Sequence, residues 1–239
     1  MKLSESLHRI GNDIVAVYLV VTPEGITVID AGLPGHWNDL VAELATIGRG
    51  LDDVKGVVLT HGDSDHIGFA ERLRLEHGVP VYVHPADVER AKGNAKGAMG
   101  KQSMNPAGLL SFIAYSLRKG GLRAKYLGEV VEAPSGATLD LPGSPQIIGL
   151  PGHSEGSIAI YVPLVDAVFV GDGLATRHVL TGRTGPQPAP FTDEPSQAVA
   201  SLRALVATGA TWVLPGHGAP WSGGVEAAVT AVERAAHAG

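Results

Sequence analysis

The stretch VVLTHGDSDHIGF, residues 57 to 69, runs from the apolar Val57, Val58 and Leu59 into His61, Asp63, Asp65 and His66. Imidazole and carboxylate are donors that hold zinc, iron or manganese. In an extended loop, residues two apart point the same way, so His61 and Asp63 share a side, while the adjacent Asp65 and His66 diverge. One short loop thus offers donors in two directions, which suits two metal ions roughly 3.5–4 Å apart better than one. Three more polar residues also follow apolar runs: His153 after IIGLPG, Asp172 after AVFVG and His217 after WVLPG. A lone histidine after a strand is more often a packed or surface group than a ligand, and DSDH alone would pass as a turn. Four such clusters ask for one explanation, which is strand ends that carry ligands to a common rim.

The elements around them fit that explanation. DIVAVYLVV (13–21) and ITVIDAG (26–32) read as two strands joined by a TPEG turn. WNDLVAELATIG (37–48) has helical apolar spacing, and VKGVVLT (54–60) is the next strand. FAERLRLEHG (69–78) reads as a helix closed by Gly78, and VPVYVHP (79–85) as a short strand. Further on, GEVVEA, ATLDL, PQIIGLPG, SIAIYVP and AVFVGD read as short strands, DEPSQAVASLRALVATG (193–209) as a helix, TWVLPGHG as a strand and loop, and 223–237 as a terminal helix. The order fits an α/β fold of two face-to-face sheets with helices outside, in a single domain over 1–239. The opening MKLSESLHRIGND is polar and carries no signal-peptide pattern, and no apolar run is long enough to span a bilayer.

The absence of cysteine fits a cytoplasmic protein and removes thiolate nucleophiles and ligands. A net charge of −6 gives no general reason to bind nucleic acid. The charge is uneven. Residues 90–125 hold eight basic residues (Arg90, Lys92, Lys96, Lys101, Arg118, Lys119, Arg123, Lys125) and no acidic one, which leaves the rest with 10 basic and 24 acidic residues. A segment so unlike its host reads as an insert. Within it, Leu109, Phe112 and Ile113 share a helical face that Leu110, Ala114 and Leu117 extend. That helix reads as packing on its own body or on a second copy in a homodimer, as a lid over a hydrophobic substrate, or as an interfacial membrane helix.

THGDSDHIG resembles the His-x-His-x-Asp-His signature of the metallo-β-lactamase-fold hydrolases, in a His-x-Asp-x-Asp-His variant. VIDAG, PGHSEGSIAIY, VFVGDG and LPGHG are similar to that family's other motifs and stand in the family's order. The resemblance implies an αββα four-layer sandwich, here with a helical insert at about 86–125. It also implies one metal held by His61, Asp63 and His153, a second by Asp65, His66 and His217, and Asp172 between them. Asp30 is then a residue that orients a ligand or its loop, and Thr60 and Ser154 are similar outer donors. Asp63 stands where the family has its second histidine. Three carboxylates and a bridging hydroxide would neutralise two divalent ions, so the expectation is a weaker Lewis acid and a tilt from zinc toward manganese or iron.

A hydroxide between two such metals cleaves an ester, thioester, lactone or amide bond of a small molecule without a serine or cysteine nucleophile, with Asp65 able to steer the water's proton. The bridging Asp172 places the chain nearer the glyoxalase II and lactonase branch than the β-lactamases. The alternatives are iron-dependent oxygen chemistry of the persulfide dioxygenase kind and nucleic-acid processing. His36, His84, Arg177 and His178 are candidates for contact with substrate, and equally read as ordinary loop residues.

Overall fold

The computed structural model describes residues 1–97 and 104–237; Lys101, one of the insert's basic residues, lies outside them. The first sheet takes the chain in order: β1 (Lys2–Ser4), β2 (Leu7–Gly11), β3 (Ala16–Thr22), β4 (Gly25–Ile29), β5 (Val54–Val58), β6 (Val81–Val83) and β7 (Val131–Glu132). Strands β1 to β4 pair antiparallel, whereas β4 through β7 pair parallel. Parallel neighbours need a crossover, and helices supply it. α1 (His36–Thr46) joins β4 to β5, and α2 (Ala70–His77) joins β5 to β6. The second sheet contains β8 (Gln146–Gly149), β9 (Ile158–Val162), β10 (Ala167–Gly171) and, beyond a small ribbon of β11 (Ala175–Arg177) and β12 (Thr184–Gln187), β13 (Trp212–Pro215). Its order is β13-β10-β9-β8, with β10 and β13 parallel.

Three apolar layers hold this together. Val28, Val57 and Val81 pack under Leu40 and Leu44 of α1 and Leu73 of α2. Between the sheets, Tyr18, Val20, Ile29 and Val58 meet Ile147, Ile160 and Phe169. Behind the second sheet, Val168 and Val213 meet Leu202, Leu205 and the α6 (Val225–His237) residues Ala228, Val229 and Val232. The result is the αββα sandwich expected. Because β4 and β5 are covered on both faces, they are buried at every position but Lys55, the mark of interior strands.

The described part of segment 86–125 carries two α-helices, α3 (Val88–Ala91) and α4 (Pro106–Arg118), joined to turns and irregular chain. Pro106 opens α4 and the Asn105 side chain accepts from Ala107 N–H at 2.9 Å, a cap that starts the helix sharply. The polar opening forms β1 and β2, in which the buried His8 and Arg9 bond Glu43 (2.7 Å) and the Gly218 carbonyl (2.8 Å). Two local expectations differ from the structure. ATLDL is not a named strand and contributes one bridge, Thr138 to Gln146. The helix expected over 193–209 is α-helical only at α5 (Pro195–Ser201), then tightens into a 3-10 turn over Leu202–Thr208.

Candidate metal centre

Strand ends build the site. Asp30 follows the end of β4, Thr60 and His61 that of β5, Asp172 that of β10 and His217 that of β13, so parallel strands deliver these side chains just beyond their carboxyl ends. His153 arrives on the loop between β8 and β9. Glycine makes room at two points. Gly171 has φ +50°, and a Cβ there would lie 2.2 Å from Thr60 Oγ1. A Cβ on Gly216 would lie 2.5 Å from the His66 ring and 2.9 Å from Asp172 Oδ1.

Each of the four histidines is held by its Nδ1. His66 Nδ1 meets Asp30 Oδ2 at 2.9 Å, and His61 Nδ1 meets Thr60 Oγ1 at 3.0 Å. His153 Nδ1 meets Thr192 Oγ1 at 3.2 Å, and His217 Nδ1 bonds the Ile14 carbonyl. Such bonds fix the ring and the tautomer, so Nε2 is the free end. Asp30 is the hub. It accepts from Thr60 N (2.8 Å) and Thr60 Oγ1 (2.9 Å) as well as from His66, and so holds two of the four rings, one directly and one through Thr60.

The free ends converge. His61, Asp63 and His153 each offer a donor atom within 4.8 Å of the others, and so do Asp65, His66 and His217, and His61, His66 and Asp172. Asp172 lies among them: Oδ1 is 3.5 Å from His66 Nε2, and Oδ2 is 3.2 Å from His217 Nε2 and 3.8 Å from His153 Nε2. His61 Nε2, His66 Nε2 and Asp172 Oδ1 are buried with no hydrogen-bond partner. Buried polar atoms without partners are rare and costly, and these three point at one another in a set of nitrogen and oxygen donors. Divalent cations would satisfy all three, so the residues fit a metal centre.

The electrostatics agree. Burial opposes charge on His66 and His217, but nearby carboxylates outweigh it, Asp30 and Asp172 pushing His66 up to about 10 and Asp172 pushing His217 up to about 9. Burial would raise Asp172, yet His217 and His66 hold it well below the usual carboxylate range. Burial pushes His61 down. The carboxylates thus draw positive charge onto the imidazoles, the same demand that bound cations would meet.

Above these groups opens a cavity of about 520 Å³. Asp63, Asp65, His153, Asp172 and His217 lie on its wall, together with Phe112, Ile113 and Leu117 of α4, Leu33, Leu122, Val179 and Phe191. The helix also packs on the body: Tyr115 is buried against Val15 and Leu33, and its hydroxyl meets His36 Nε2 at 2.8 Å.

Of the lower-ranked candidates, the cavity takes none. His36 is fully buried, accepts from Leu33 N at 2.9 Å, and burial lowers it to about 4, so it works as a neutral support for α4. His84 receives Ala86 N–H at 3.3 Å and meets Ser135 Oγ. Arg177 closes β11 and His178 follows it; Val179, the next residue, is the one that lines the cavity. Three residues not singled out as site residues do join the site. Arg90 pairs with Asp63 and with Asp193, and Asp87 ties the two ligand loops by accepting from Gly62 N (2.7 Å), Ser154 Oγ (2.9 Å) and Gly156 N (3.1 Å). The unusual carboxylate at 63 was the signal for Arg90, since a half-buried anion calls for a cation; nothing in the sequence marks Asp87.

A sandwich of this kind with donors at the carboxyl ends of its strands is a metallo-hydrolase scaffold. The chain belongs to the metallo-beta-lactamase superfamily, whose model matches residues 10–217. It is 27% identical over 234 residues to the probable metallo-hydrolase YflN of Bacillus subtilis (strain 168), covering 92% of this chain and 86% of that one. It is 33% identical over 186 residues to the uncharacterized protein Rv2581c of Mycobacterium tuberculosis, covering 73% and 75%. Among solved structures, the metallo-beta-lactamase family protein TTHA1429 of Thermus thermophilus superposes with a TM-score of 0.71 at 21% identity, covering 99% of this chain and 80% of that one. TTHA1623, solved in a di-iron-bound form, gives 0.61 at 30% identity, covering 92% and 96%.

The hub role of Asp30 carries a prediction. Asp30→Ala should weaken metal binding about 10- to 100-fold, read by competition with a chromophoric chelator, because two imidazoles lose their orientation. An affinity equal to that of the native protein would remove Asp30 from this role.

Proposed function

We propose that the protein is a dinuclear metal-dependent hydrolase that cleaves an ester, thioester, lactone or amide bond of a small, largely apolar molecule. The observation that carries this reading is the convergence of His61 Nε2, His66 Nε2 and Asp172 Oδ1, buried and unpartnered, beneath an apolar-walled cavity. His61, Asp63 and His153 would hold one ion, Asp65, His66 and His217 the other, with Asp172 reaching both groups. Bound divalent ions supply Lewis acidity and an acidified water. The chain's own part is to fix the imidazoles through Nδ1 and to place Asp65 at the cavity wall, where it can take a proton from the attacking water. The α4 wall of Phe112, Ile113 and Leu117 would hold the acyl or alkyl portion of the substrate.

The carboxylate-rich donor set, and the di-iron form of TTHA1623, favour iron-dependent oxygen chemistry as the second reading. Elemental mass spectrometry of the purified protein, followed by ester, thioester and lactone panels, separates the two. About two equivalents of zinc or manganese with turnover in a panel supports the hydrolase. Iron as the main metal with oxygen uptake and no turnover in any panel supports the alternative. No metal under replete conditions sinks both. Phe112→Ala should raise KM for long-chain substrates about 10-fold while leaving short-chain esters unchanged, since roughly 1–3 kcal/mol of apolar contact is lost. An equal effect on both chain lengths would take α4 out of the substrate wall.

A further inference from the structure

Position 63 is where this chain departs from the His-x-His-x-Asp-His pattern, and the structure holds a residue that matches the departure. Arg90 on α3 is 8% exposed and lays its guanidinium fork on the Asp63 carboxylate, Nε to Oδ1 at 2.5 Å and Nη2 to Oδ2 at 2.9 Å. Nη1 turns the other way, to Asp193 Oδ2 at 2.8 Å. Oδ2 of Asp63 is also the atom that faces His153 Nε2 (3.3 Å) and His61 Nε2 (3.5 Å). One carboxylate oxygen therefore stands between the fork and the free ends of two imidazoles. The fork is itself firmly seated. The ligand loop runs so close to α3 that a Cβ on Gly62 would lie 2.6 Å from Ala91 N, and Asp87, just before α3, bonds both ligand loops.

A carboxylate has about four lone-pair sites, so it can accept two N–H bonds and still give electrons to a metal. Imidazole cannot do both. With one nitrogen on a metal, the other carries a hydrogen. A histidine at this position would meet Nε–H and Nη2–H of Arg90 donor to donor, and would leave two donors of a buried cation unpaired beside a metal ion.

Building on the metal-centre reading above, we propose that Arg90 is the positioning residue of the first ligand group: it aims Asp63 Oδ2 at His61 and His153, offsets its charge, and makes position 63 demand a carboxylate. Asp63 and Arg90 act as one unit that takes the place of the family's second histidine. The surplus negative charge expected from three carboxylates is thereby offset at its source. Restoring the family motif here should harm the site, not improve it.

The test is a double-mutant cycle on the full-length protein with Zn²⁺ alone as probe: native, Asp63→His, Arg90→Met and the double variant Asp63→His with Arg90→Met. Each is stripped with chelator, titrated with Zn²⁺ against a chromophoric chelator, and checked for its fold by circular dichroism. Asp63→His should bind Zn²⁺ about tenfold or more weakly, and adding Arg90→Met should recover most of that loss. Arg90→Met alone should weaken binding by a similar factor. Native affinity in Asp63→His would overturn the proposal, as would an equal effect of Arg90→Met in both backgrounds. Should methionine at position 90 prevent folding, Arg90→Lys replaces it, keeping the charge but not the fork. A loss in the native background that is absent in the Asp63→His background supports the proposal, and native affinity in Arg90→Lys overturns it. Failure of the native protein to take up Zn²⁺ removes the metal centre and this proposal together, whereas uptake without coupling removes the proposal alone.

Discussion

Asp172→Ala is expected to lower hydrolytic turnover by about three orders of magnitude or more and to strip the protein of most of its metal. Among the described residues, Asp172 is the carboxylate that reaches both ligand groups, His66 and His217 at 3.5 and 3.2 Å on one side and His153 at 3.8 Å on the other. Lewis-acid stabilisation of a transition state is worth several kcal/mol, and each 1.36 kcal/mol is a factor of about ten in rate. With two ions held, loss of Asp172 would remove that stabilisation and one of the anions shared by the two ligand groups. Asp172→Asn, which keeps the shape and one oxygen but not the charge, should fall between native and alanine in metal content. The measurements are elemental mass spectrometry and steady-state rates on whichever substrate the panels identify. A variant with native metal content and native turnover would end the dinuclear reading. A variant with native metal content and no turnover would keep the site and move Asp172 from bridging to positioning the substrate.

The cluster of candidate donors was legible because strand ends leave a local mark. Apolar runs stop, and a polar residue two positions on is presented at the rim, as at Leu59 to His61 and Val170 to Asp172. Period and burial say little about what lies between such strands, so partnerships across the fold stayed hidden. Arg90 was visible as one basic residue of a charged segment, yet it lies at the base of the site, 27 residues from Asp63 in the chain. The β2 strand was hidden for a related reason: its His8 and Arg9 are polar in sequence and buried in the structure, each bonded to a partner remote in sequence. Long-range pairing of this kind has no periodicity to read. His36 shows the converse. It follows a strand and a glycine turn as the ligands do, but its Nδ1 takes a backbone N–H three residues away and its Nε2 meets a tyrosine, so both ends are spent on packing.

Removing the metal should move the protein's maximum of thermal stability toward acid. In the chelated protein, His66 and His217 are held protonated by carboxylates, with pKa values pushed up to about 10 and about 9, against roughly 6.5 in an unfolded chain. A group whose folded pKa is raised gives its full stabilisation below its unfolded pKa and loses it as pH climbs through the folded value. That contribution is therefore complete below about pH 6.5 and fades between there and about 9 to 10. Asp172 acts in the opposite sense. His217 and His66 hold its pKa down, so its contribution is present above its unfolded pKa of about 3.9 and is lost as pH falls further. The chelated protein should be most stable near about pH 6.5, because His36 and His61, whose pKa values burial lowers, lose their contribution as pH falls below it, and raising the pH from about 6.5 to 9.5 should lower its Tm by at least about 2–4 °C, the shift that 1 kcal/mol produces in a chain of this length. The loaded protein should behave otherwise, because metals require neutral imidazole and bind better as protons leave. Its Tm should hold or rise over the same range, so the gap between loaded and chelated protein widens with pH. Parallel Tm curves with and without chelator would mean that the charge of these histidines is not what replaces the metal, and that burial, which alone would keep both rings neutral, has prevailed.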